Sequence, residues 1–322
     1  MDEFPTIDTD WILSHRGAKH QVDQKRPYAY NIEKERGRGA NGKIEDVITI
    51  FLTNRECAFK CLMCDLWKNT TDFSVDIGDI PKQIEFALER LPPAKHIKLY
   101  NSGNFFDSHS IPKEDFAGIA SLLSEFETVI VECHPNLITE EVLKFQALLK
   151  PSLQVALGLE TVHPEILKKL NKRMELTDFR QSIHFLTSHG ILSRSFILLK
   201  PPFMDESEGV YWAKKSIEFS FESGVECCVI IPTRPGNGAL DILLEQRYFS
   251  PPSLQSLEEV LEYGIDNGFK GRIFADLWDL EKFSTCEKCF PKRKKRLKEM
   301  NFSQGIQPII LCDCTPILEI NN

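Results

Sequence analysis

Short runs of apolar, mostly β-branched residues alternate along the chain with longer segments in which apolar residues recur every three or four positions. The short runs are apolar nearly throughout, which is typical of parallel strands that are covered on both faces. They predict six strands and a seventh candidate, at residues 47–53, 96–101, 128–133, 153–160, 194–200, 226–232 and 271–277.

The longer segments predict amphipathic helices between these strands, and acidic residues or prolines near several helix starts support the assignment. The predicted helices span residues 80–91, 116–123, 140–149, 164–170, 178–189, 207–223 and 253–267. Six strand–helix units in this order predict an α/β fold with a parallel sheet and right-handed crossovers. Functional residues of such folds lie just past the carboxyl ends of the strands, so those positions are expected to carry the chemistry.

Composition narrows the classes of protein. The chain has 322 residues, 42% of them hydrophobic, and no apolar run long enough to cross a bilayer. This length suffices to bury one large core. The net charge of −8 indicates that the chain as a whole does not bind nucleic acid electrostatically, so any such contact requires a local basic patch. Ten cysteines without a secretion signal predict a reducing, cytoplasmic location.

Three cysteines, Cys57, Cys61 and Cys64, follow the first predicted strand directly in a CxxxCxxC pattern. Three thiolates on one loop can ligate three irons of a [4Fe–4S] cluster, and the missing fourth cysteine leaves one iron open to a small-molecule ligand. Two of these cysteines could instead form half of a zinc site, and all three could be inert thiols. Because a structural zinc site requires a fourth ligand close by, the spacing favours the cluster.

This motif, in the loop after the first strand of a β/α repeat, closely resembles that of the radical S-adenosylmethionine (SAM) enzymes. The resemblance implies a partial (β/α)6 barrel of the TIM type, with Cys57, Cys61 and Cys64 as the cluster ligands at its mouth. It also implies that SAM chelates the open iron and is cleaved by an electron from the cluster to methionine and a 5′-deoxyadenosyl radical. An electron donor such as ferredoxin or flavodoxin is then an expected partner.

The resemblance also assigns a SAM contact to the end of the second strand. Ser102 and Gly103 lie where these enzymes have a glycine-rich segment that contacts the SAM amino group, and glycine permits close backbone approach. The acidic residue usual in that segment is absent. Asn101, Ser102 and Asn104 are therefore polar stand-ins, and an ordinary turn between strand and helix is the alternative interpretation.

Two further residues resemble SAM contacts of the family. Glu160 ends the fourth strand, where a carboxylate accepts hydrogen bonds from the ribose hydroxyls, and a solvated strand end is the alternative. Met63 stands where the family often has an aromatic residue that contacts adenine, and its thioether can pack there too.

Other polar residues follow the remaining strands. Lys200 and Arg234 are expected to face the barrel mouth and could bind a carboxylate or phosphate, or could be solvated loop cations. His134 is a candidate substrate contact, with a structural or exposed histidine as the alternative. The adjacent Cys227 and Cys228 point to opposite faces of their strand and are expected to be buried packing residues.

The C-terminal part of the chain carries four more cysteines, Cys286 and Cys289 in a CxxC pair and Cys312 and Cys314 in a CxC pair. Four thiolates with no open position favour a structural Zn²⁺. An auxiliary iron–sulfur cluster uses the same ligands, and the site could also hold no metal.

Two basic segments stand out against the acidic background. Residues 291–298 lie between the two C-terminal cysteine pairs and could contact the phosphate backbone of RNA, or could form a solvated basic helix. Residues 34–43 carry further basic residues and three glycines, which indicates a flexible segment that could close over the site.

Several of these segments resemble the archaeosine-forming radical SAM enzymes, a group related to the elongator catalytic subunit, which act on a lysine-bearing deazaguanine in tRNA. They lie at residues 51–57, 61–67, 102–106, 200–203 and in the C-terminal cysteine pairs. The resemblance implies a radical SAM enzyme that modifies a tRNA base. A radical SAM enzyme acting on a peptide or small metabolite and a non-catalytic Fe–S or zinc RNA-binding protein are the alternatives. The expected organisation is an N-terminal segment at 1–43, a core at 44–275 and a cysteine-rich, basic extension at 276–322.

Overall fold

A curled, eight-stranded sheet flanked by helices forms the centre of the protein. The computed structural model describes residues 6–39 and 41–314. The strand order in the sheet equals the order in the chain; the first strand is antiparallel to the second, and all later neighbours are parallel. The strands are β1 (Ala29–Arg36), β2 (Ile44–Leu52), β3 (His96–Asn101), β4 (Thr128–Glu132), β5 (Ser152–Glu160), β6 (Leu192–Leu199), β7 (Cys227–Pro232) and β8 (Arg272–Ala275).

Helices follow the parallel strands, as the apolar periodicity predicts, and one further helix, α1, precedes the sheet. They are α1 (Thr9–Ser14), α2 (Asp79–Leu88), α3 (Phe116–Leu122), α4 (Glu140–Leu148), α5 (Pro164–Lys169), α6 (Leu176–Ser188), α7 (Glu206–Glu222), α8 (Ala239–Glu245), α9 (Leu254–Asp266) and α10 (Phe290–Ser303). None of these helices is long and apolar enough to cross a membrane. The predicted strands and helices are confirmed, including the seventh candidate strand, which is β8, and the partial barrel architecture is confirmed with them.

A buried ion-pair network inside the barrel shows how far the sheet curls. Glu35 on β1 accepts a 3.1 Å hydrogen bond from Arg194 on β6, although these strands are not neighbours in the sheet. Lys98 on β3 and Arg272 on β8 also contact Glu35, at 2.8 and 3.3 Å. Burial opposes the charge of Glu35, but Arg194 and Lys98 hold its pKa well below the ordinary value. Through these contacts, β1 and β8 face the same barrel interior.

The first strand was not predicted, because its interior-facing positions carry Glu33 and Glu35 instead of apolar residues. Its pairing with β2 runs from Ala29 opposite Phe51 to Arg36 opposite Ile44. Residues 36–43 therefore connect β1 and β2 at the amino end of β2, opposite the barrel mouth. The prediction that residues 34–43 could close over the site is wrong. Residues 1–5 and 315–322 of the expected terminal segments lie outside the described residues.

Candidate active site and metal-binding residues

The loop after β2 carries Cys57, Cys61 and Cys64 at the carboxyl end of the sheet, and later loops hold its backbone. Asn237, after β7, donates from Nδ2 to the carbonyl oxygens of Leu62 at 2.7 Å and of Cys64 at 3.2 Å. The Leu62 N–H donates to the carbonyl of Leu170 at 2.9 Å, and the Leu62 side chain is fully buried. The cysteine loop is thus bonded to residues that follow strands across the barrel.

The segment before β1 supports the same loop through Glu56, the residue preceding Cys57. Arg16 and Lys19, from this segment, lie 2.7 and 2.9 Å from the Glu56 carboxylate, and Lys60 contacts it as well. Burial opposes ionisation of Glu56, but hydrogen bonds from Lys60 and Lys19 lower its pKa to about 2. The N-terminal segment therefore packs on the cysteine loop through a charged contact.

The surroundings and the separation of the three thiols bear on the kind of metal centre that they could bind. Burial raises the pKa of Cys57 and Cys64, and raises that of Cys61 to about 11, so positive charge from a metal centre is needed to hold them as thiolates. Among the described residues, the triplet is not one of the groups whose ligand atoms all lie within 4.8 Å of one another. A cluster offers each thiolate its own iron, so this wider spacing and the all-sulfur donor set fit a [4Fe–4S] cluster.

Asn104, after β3, contacts the first of these thiols directly. Its Nδ2 lies 3.2 Å from Sγ of Cys57, and its Oδ1 accepts the backbone N–H of His134 at 2.7 Å. His134 was predicted as a candidate substrate contact, but its ring is buried and both nitrogens are used. Nε2 donates to the carbonyl of Lys172 at 2.8 Å, and Nδ1 accepts the Asn136 N–H at 3.1 Å. Burial lowers its pKa to about 3, so the ring is neutral and structural.

Glu160, the expected ribose ligand, forms a buried ion pair with Lys172, whose Nζ lies 2.7 Å from Oε1. A register shift in β5 and a φ of 66° at Glu160 turn this side chain toward Lys172. Gly158 leaves room for this ion pair, because a Cβ at that position would lie 2.0 Å from Oε1 of Glu160 and would displace the side chain. Burial alone lowers the pKa of Lys172, but Glu160 and Cys61 raise it above the ordinary value. No pattern in the sequence had indicated Lys172.

The glycine-containing loop after β3 places unpaired polar atoms beside the cysteines. Among the described residues, the side-chain amide of Asn101 is buried without a hydrogen-bond partner, and a bound ligand could supply one. The Ser102 hydroxyl is buried beside the Tyr28 hydroxyl. The Ser102 carbonyl accepts the Cys57 N–H at 3.4 Å. Gly103 allows close packing, since a Cβ there would lie 2.4 Å from Oγ of Ser110. Met63 is partly buried and packs against an apolar cluster to which α1, α5 and α8 contribute, and its predicted contact with adenine stays a prediction.

The two cations predicted for the barrel mouth are paired within the protein. Lys200 donates to Glu206 at 2.6 Å and to Ser250 at 2.8 Å, and its side chain is only 7% exposed. Lys200 is therefore not a solvated loop cation, and anion binding by Lys200 stays a prediction. Arg234 contacts Asp276 at 2.5 Å and is partly exposed. Cys227 and Cys228 are fully buried, which confirms their packing role.

Glu132, at the end of β4, is a carboxyl group that the sequence analysis missed. Its Oε1 accepts the backbone N–H of Asn101 at 2.5 Å. Burial raises the pKa of Glu132 to about 8, against the lowering effect of that N–H. A neutral carboxylic acid can both donate and accept hydrogen bonds, so Glu132 could contact a polar ligand between β3 and β4.

The four C-terminal cysteines converge. All their sulfurs lie within 4.8 Å of one another, with Cys286 3.9 Å from Cys312 and Cys289 3.6 Å from Cys314. Four sulfurs placed tetrahedrally around Zn²⁺ at about 2.3 Å are separated by about 3.8 Å. This spacing suits a single ion better than a cluster, in which each sulfur binds a different iron.

The basic segment 291–298 lies within α10, and its charges divide into two sets. Arg293 contacts Glu258 on α9, and Arg296 contacts Glu262 there, so both arginines are buried in structural ion pairs. The lysines face outward: Lys288 just before the helix, and Lys292, Lys294, Lys295 and Lys298 within it, are exposed. The exposed lysines therefore form the basic surface, which we call the α10 lysine face.

Comparison with known proteins relates the chain to archaeal sequences, although no family model matches it. An uncharacterized protein of Methanocaldococcus jannaschii is 25% identical over 335 residues, covering 96% of this chain and 91% of that protein. Archaeosine synthase subunit beta of Thermococcus kodakarensis is 28% identical over 226 residues, covering 67% of this chain and 69% of that protein. The subunit of Methanosarcina acetivorans is 24% identical over 233 residues, covering 69% of this chain and 67% of that protein.

Solved structures of radical SAM enzymes share the fold. Streptococcus suis SuiB superposes with a TM-score of 0.52 at 12% identity, covering 70% of this chain and 49% of that one, and a structure of SuiB bound to S-adenosylmethionine matches equally well. Methylornithine synthase gives a TM-score of 0.51 at 15% identity, covering 69% of this chain and 63% of that one. The chain thus spans about half the length of SuiB. It has the fold of the radical SAM enzymes and resembles archaeosine synthase subunit beta in sequence.

Proposed function

We propose that this protein binds a [4Fe–4S] cluster through Cys57, Cys61 and Cys64 and cleaves SAM reductively. The observation that carries the proposal is the triplet of thiols at the carboxyl end of the sheet, of which Cys61 is buried and Cys57 and Cys64 are partly buried, on a loop bonded to later strand ends. When bound, such a cluster supplies the electron that divides SAM into methionine and a 5′-deoxyadenosyl radical.

The chain's own residues suit the binding of SAM beside the triplet. Glu160 has a second carboxylate oxygen besides the one that contacts Lys172, and that oxygen can accept hydrogen bonds from ribose hydroxyls. The buried side-chain amide of Asn101 has no partner among the described residues, and a SAM amino or carboxylate group can satisfy it.

We propose a deazapurine base in tRNA as the substrate. Two observations support this choice: the likeness to archaeosine synthase subunit beta over two thirds of the chain, and the α10 lysine face. The exposed lysines provide positive charge on a chain whose net charge is −8, as phosphate binding requires.

We further propose that Cys286, Cys289, Cys312 and Cys314 bind one structural Zn²⁺. The sulfur separations of 3.6 and 3.9 Å support a single tetrahedral ion. The four thiolates leave no open coordination position, so the ion would fix the start of α10 and with it the α10 lysine face.

Anaerobic reconstitution followed by reduction with dithionite in the presence of SAM tests the enzymatic proposal. The wild type should form 5′-deoxyadenosine, and Cys61→Ala should form none while keeping its circular dichroism spectrum, since the ligand lies on a loop. Cys133→Ala, which changes a buried cysteine outside the triplet, is the matched control. Unchanged SAM cleavage in Cys61→Ala would overturn the cluster assignment.

Mass spectrometry of tRNA nucleosides, from cells with and without the gene, tests the substrate. Loss of a deazapurine nucleoside in the deletion strain is the expected result. If SAM is cleaved by the purified protein but the nucleoside profile is unchanged, the substrate is a peptide or small metabolite. If SAM is not cleaved but RNA is bound, the protein is an RNA-binding protein without this activity.

A further inference from the structure

One cysteine of the triplet accepts a hydrogen bond from a side chain on another strand end. Nδ2 of Asn104 lies 3.2 Å from Sγ of Cys57, and Asn104 is only 4% exposed. The other described polar contact to this sulfur comes from the backbone N–H of Phe59 within the same loop. The Asn104 amide is thus a donor that the β3 loop contributes to the ligand of the proposed cluster.

The orientation of this amide is determined by its second contact. Oδ1 of Asn104 accepts the backbone N–H of His134 at 2.7 Å, so only Nδ2 can face the sulfur. His134 is fixed in turn, because its ring donates to the carbonyl of Lys172 and stacks on Phe59 with 3.8 Å between ring centroids and 6° between planes. The donor is therefore held toward Cys57 by packed neighbours.

We propose that Asn104 is a positioning residue that raises the reduction potential of the cluster bound by Cys57. An N–H donor to a ligating thiolate withdraws electron density from the sulfur and favours the reduced, more negative cluster. The step concerned is the transfer of one electron from a low-potential one-electron donor to the oxidised cluster, [4Fe–4S]²⁺, giving [4Fe–4S]⁺ without proton transfer. This inference rests on the proposed function, because it requires the cluster.

Two nearby lysines, Lys172 and Lys60, also favour the thiolate of Cys57 through their charge. Each of them is paired with a carboxylate, Lys172 with Glu160 at 2.7 Å and Lys60 with Glu56. The Asn104 amide differs from both because it contacts the sulfur directly. Its loss should therefore shift the potential without a change in the number of cluster ligands.

Redox titration monitored by electron paramagnetic resonance, with dithionite as reductant, measures the midpoint potential directly. Asn104→Ala removes the donor to sulfur without adding charge and is the deciding variant. Asn104→Asp preserves the acceptor for the His134 N–H and removes the donor, but its carboxylate also lowers the midpoint, so it serves as a second variant in case Asn104→Ala fails to fold. Asn136→Asp is the matched control, because the Asn136 amide donates to the Arg173 carbonyl at 2.9 Å and not to a cysteine.

Both Asn104 variants should bind iron like the wild type and show a more negative midpoint. A tenfold change in the equilibrium constant for reduction corresponds to about 59 mV for one electron, and a shift of this order is expected. Asn136→Asp should stay close to the wild type. Unchanged midpoints in Asn104 variants with full iron content would overturn this inference and leave the proposed function intact. Absence of a cluster in the wild type would instead overturn the proposed function.

Discussion

Nζ of Lys172 lies 2.7 Å from Oε1 of Glu160, and both side chains are less than a tenth exposed. The two residues are twelve positions apart, one at the end of β5 and the other between α5 and α6. Their contact fixes the carboxylate proposed to bind the SAM ribose. It also means that neither residue can be changed without leaving a buried charge in the site.

Glu160→Gln should weaken SAM binding by about 1–3 kcal/mol, the range of a charge-assisted hydrogen bond, while iron content stays the same. Anaerobic calorimetry with reconstituted protein measures the affinity. Lys172→Met is the comparison variant, because it keeps the Glu160 carboxylate but removes its cationic partner. This variant should lower the free energy of unfolding by about 3–5 kcal/mol. Equal SAM affinity in Glu160→Gln and wild type would leave Glu160 with a structural role only.

Metal analysis of cysteine variants separates the two metal sites. Replacing Cys57, Cys61 and Cys64 together by alanine should remove the iron and leave about one zinc per chain. Replacing Cys286 and Cys312 should remove the zinc and retain the iron, because the two sites share no ligand. Iron without zinc in the first variant would indicate an auxiliary cluster in place of the zinc ion.

The stability of the protein should depend on pH through Glu132. Its pKa is raised from 4.5 to about 8, so the folded state keeps a proton that the unfolded chain has released. Stability from this group is therefore fully present below about pH 4.5 and is lost as pH rises toward 8. Glu132→Gln keeps the acceptor for the Asn101 N–H and has no proton to lose. This variant should therefore not lose stability as the pH rises toward 8.

Thermal melting of both proteins from pH 5 to 8.5 checks this expectation. The variant should gain roughly 2 kcal/mol relative to wild type at the upper end, a value reduced for the partial exposure of the carboxyl. Glu125→Gln, at an exposed position, is the control. A melting difference that is the same at every pH would contradict the raised pKa.

Charge reversal at Lys294 and Lys295 should weaken tRNA binding and flatten its dependence on salt. Each lost phosphate contact lowers the slope of log K against log salt by about one. Filter binding at several salt concentrations gives this slope. Lys144→Glu with Lys150→Glu, at exposed positions on and just after α4, is the matched control. SAM cleavage without RNA should be unaffected, and an unchanged slope would remove the α10 lysine face from the proposed interface.

The sequence allowed most of the parallel strands to be predicted because their residues are mostly apolar, as in β7, which is apolar on both faces. It did not allow β1 to be predicted, because Glu33 and Glu35 are stabilised by cations on other strands that no local pattern indicates. The cysteine triplet could be predicted as a site from its CxxxCxxC spacing. The contacts of Lys172 and Asn104 could not be predicted, because they join residues that are 12 and 47 positions apart in the sequence.

Helical periodicity within α10 could have indicated which of its basic residues are buried. Arg293 and Arg296 are three positions apart on one face, next to Leu297 and Met300, which are fully buried. The lysines occupy the other positions. Once the segment is recognised as a helix, this spacing predicts that the arginines are buried and the lysines are exposed.

The Glu35 network inside the barrel also bears on how the protein is made. Glu35 contacts Lys98 on β3, but its other partners, Arg194 and Arg272, follow it by 159 and 237 residues. A ribosome must therefore complete nearly the whole barrel before this carboxylate has all its partners, and until then Lys98 is the one cation of this network that can pair with the acidic interior face of β1. We therefore expect the nascent chain to close its barrel late, and the cluster to be inserted only after translation has passed the last strand.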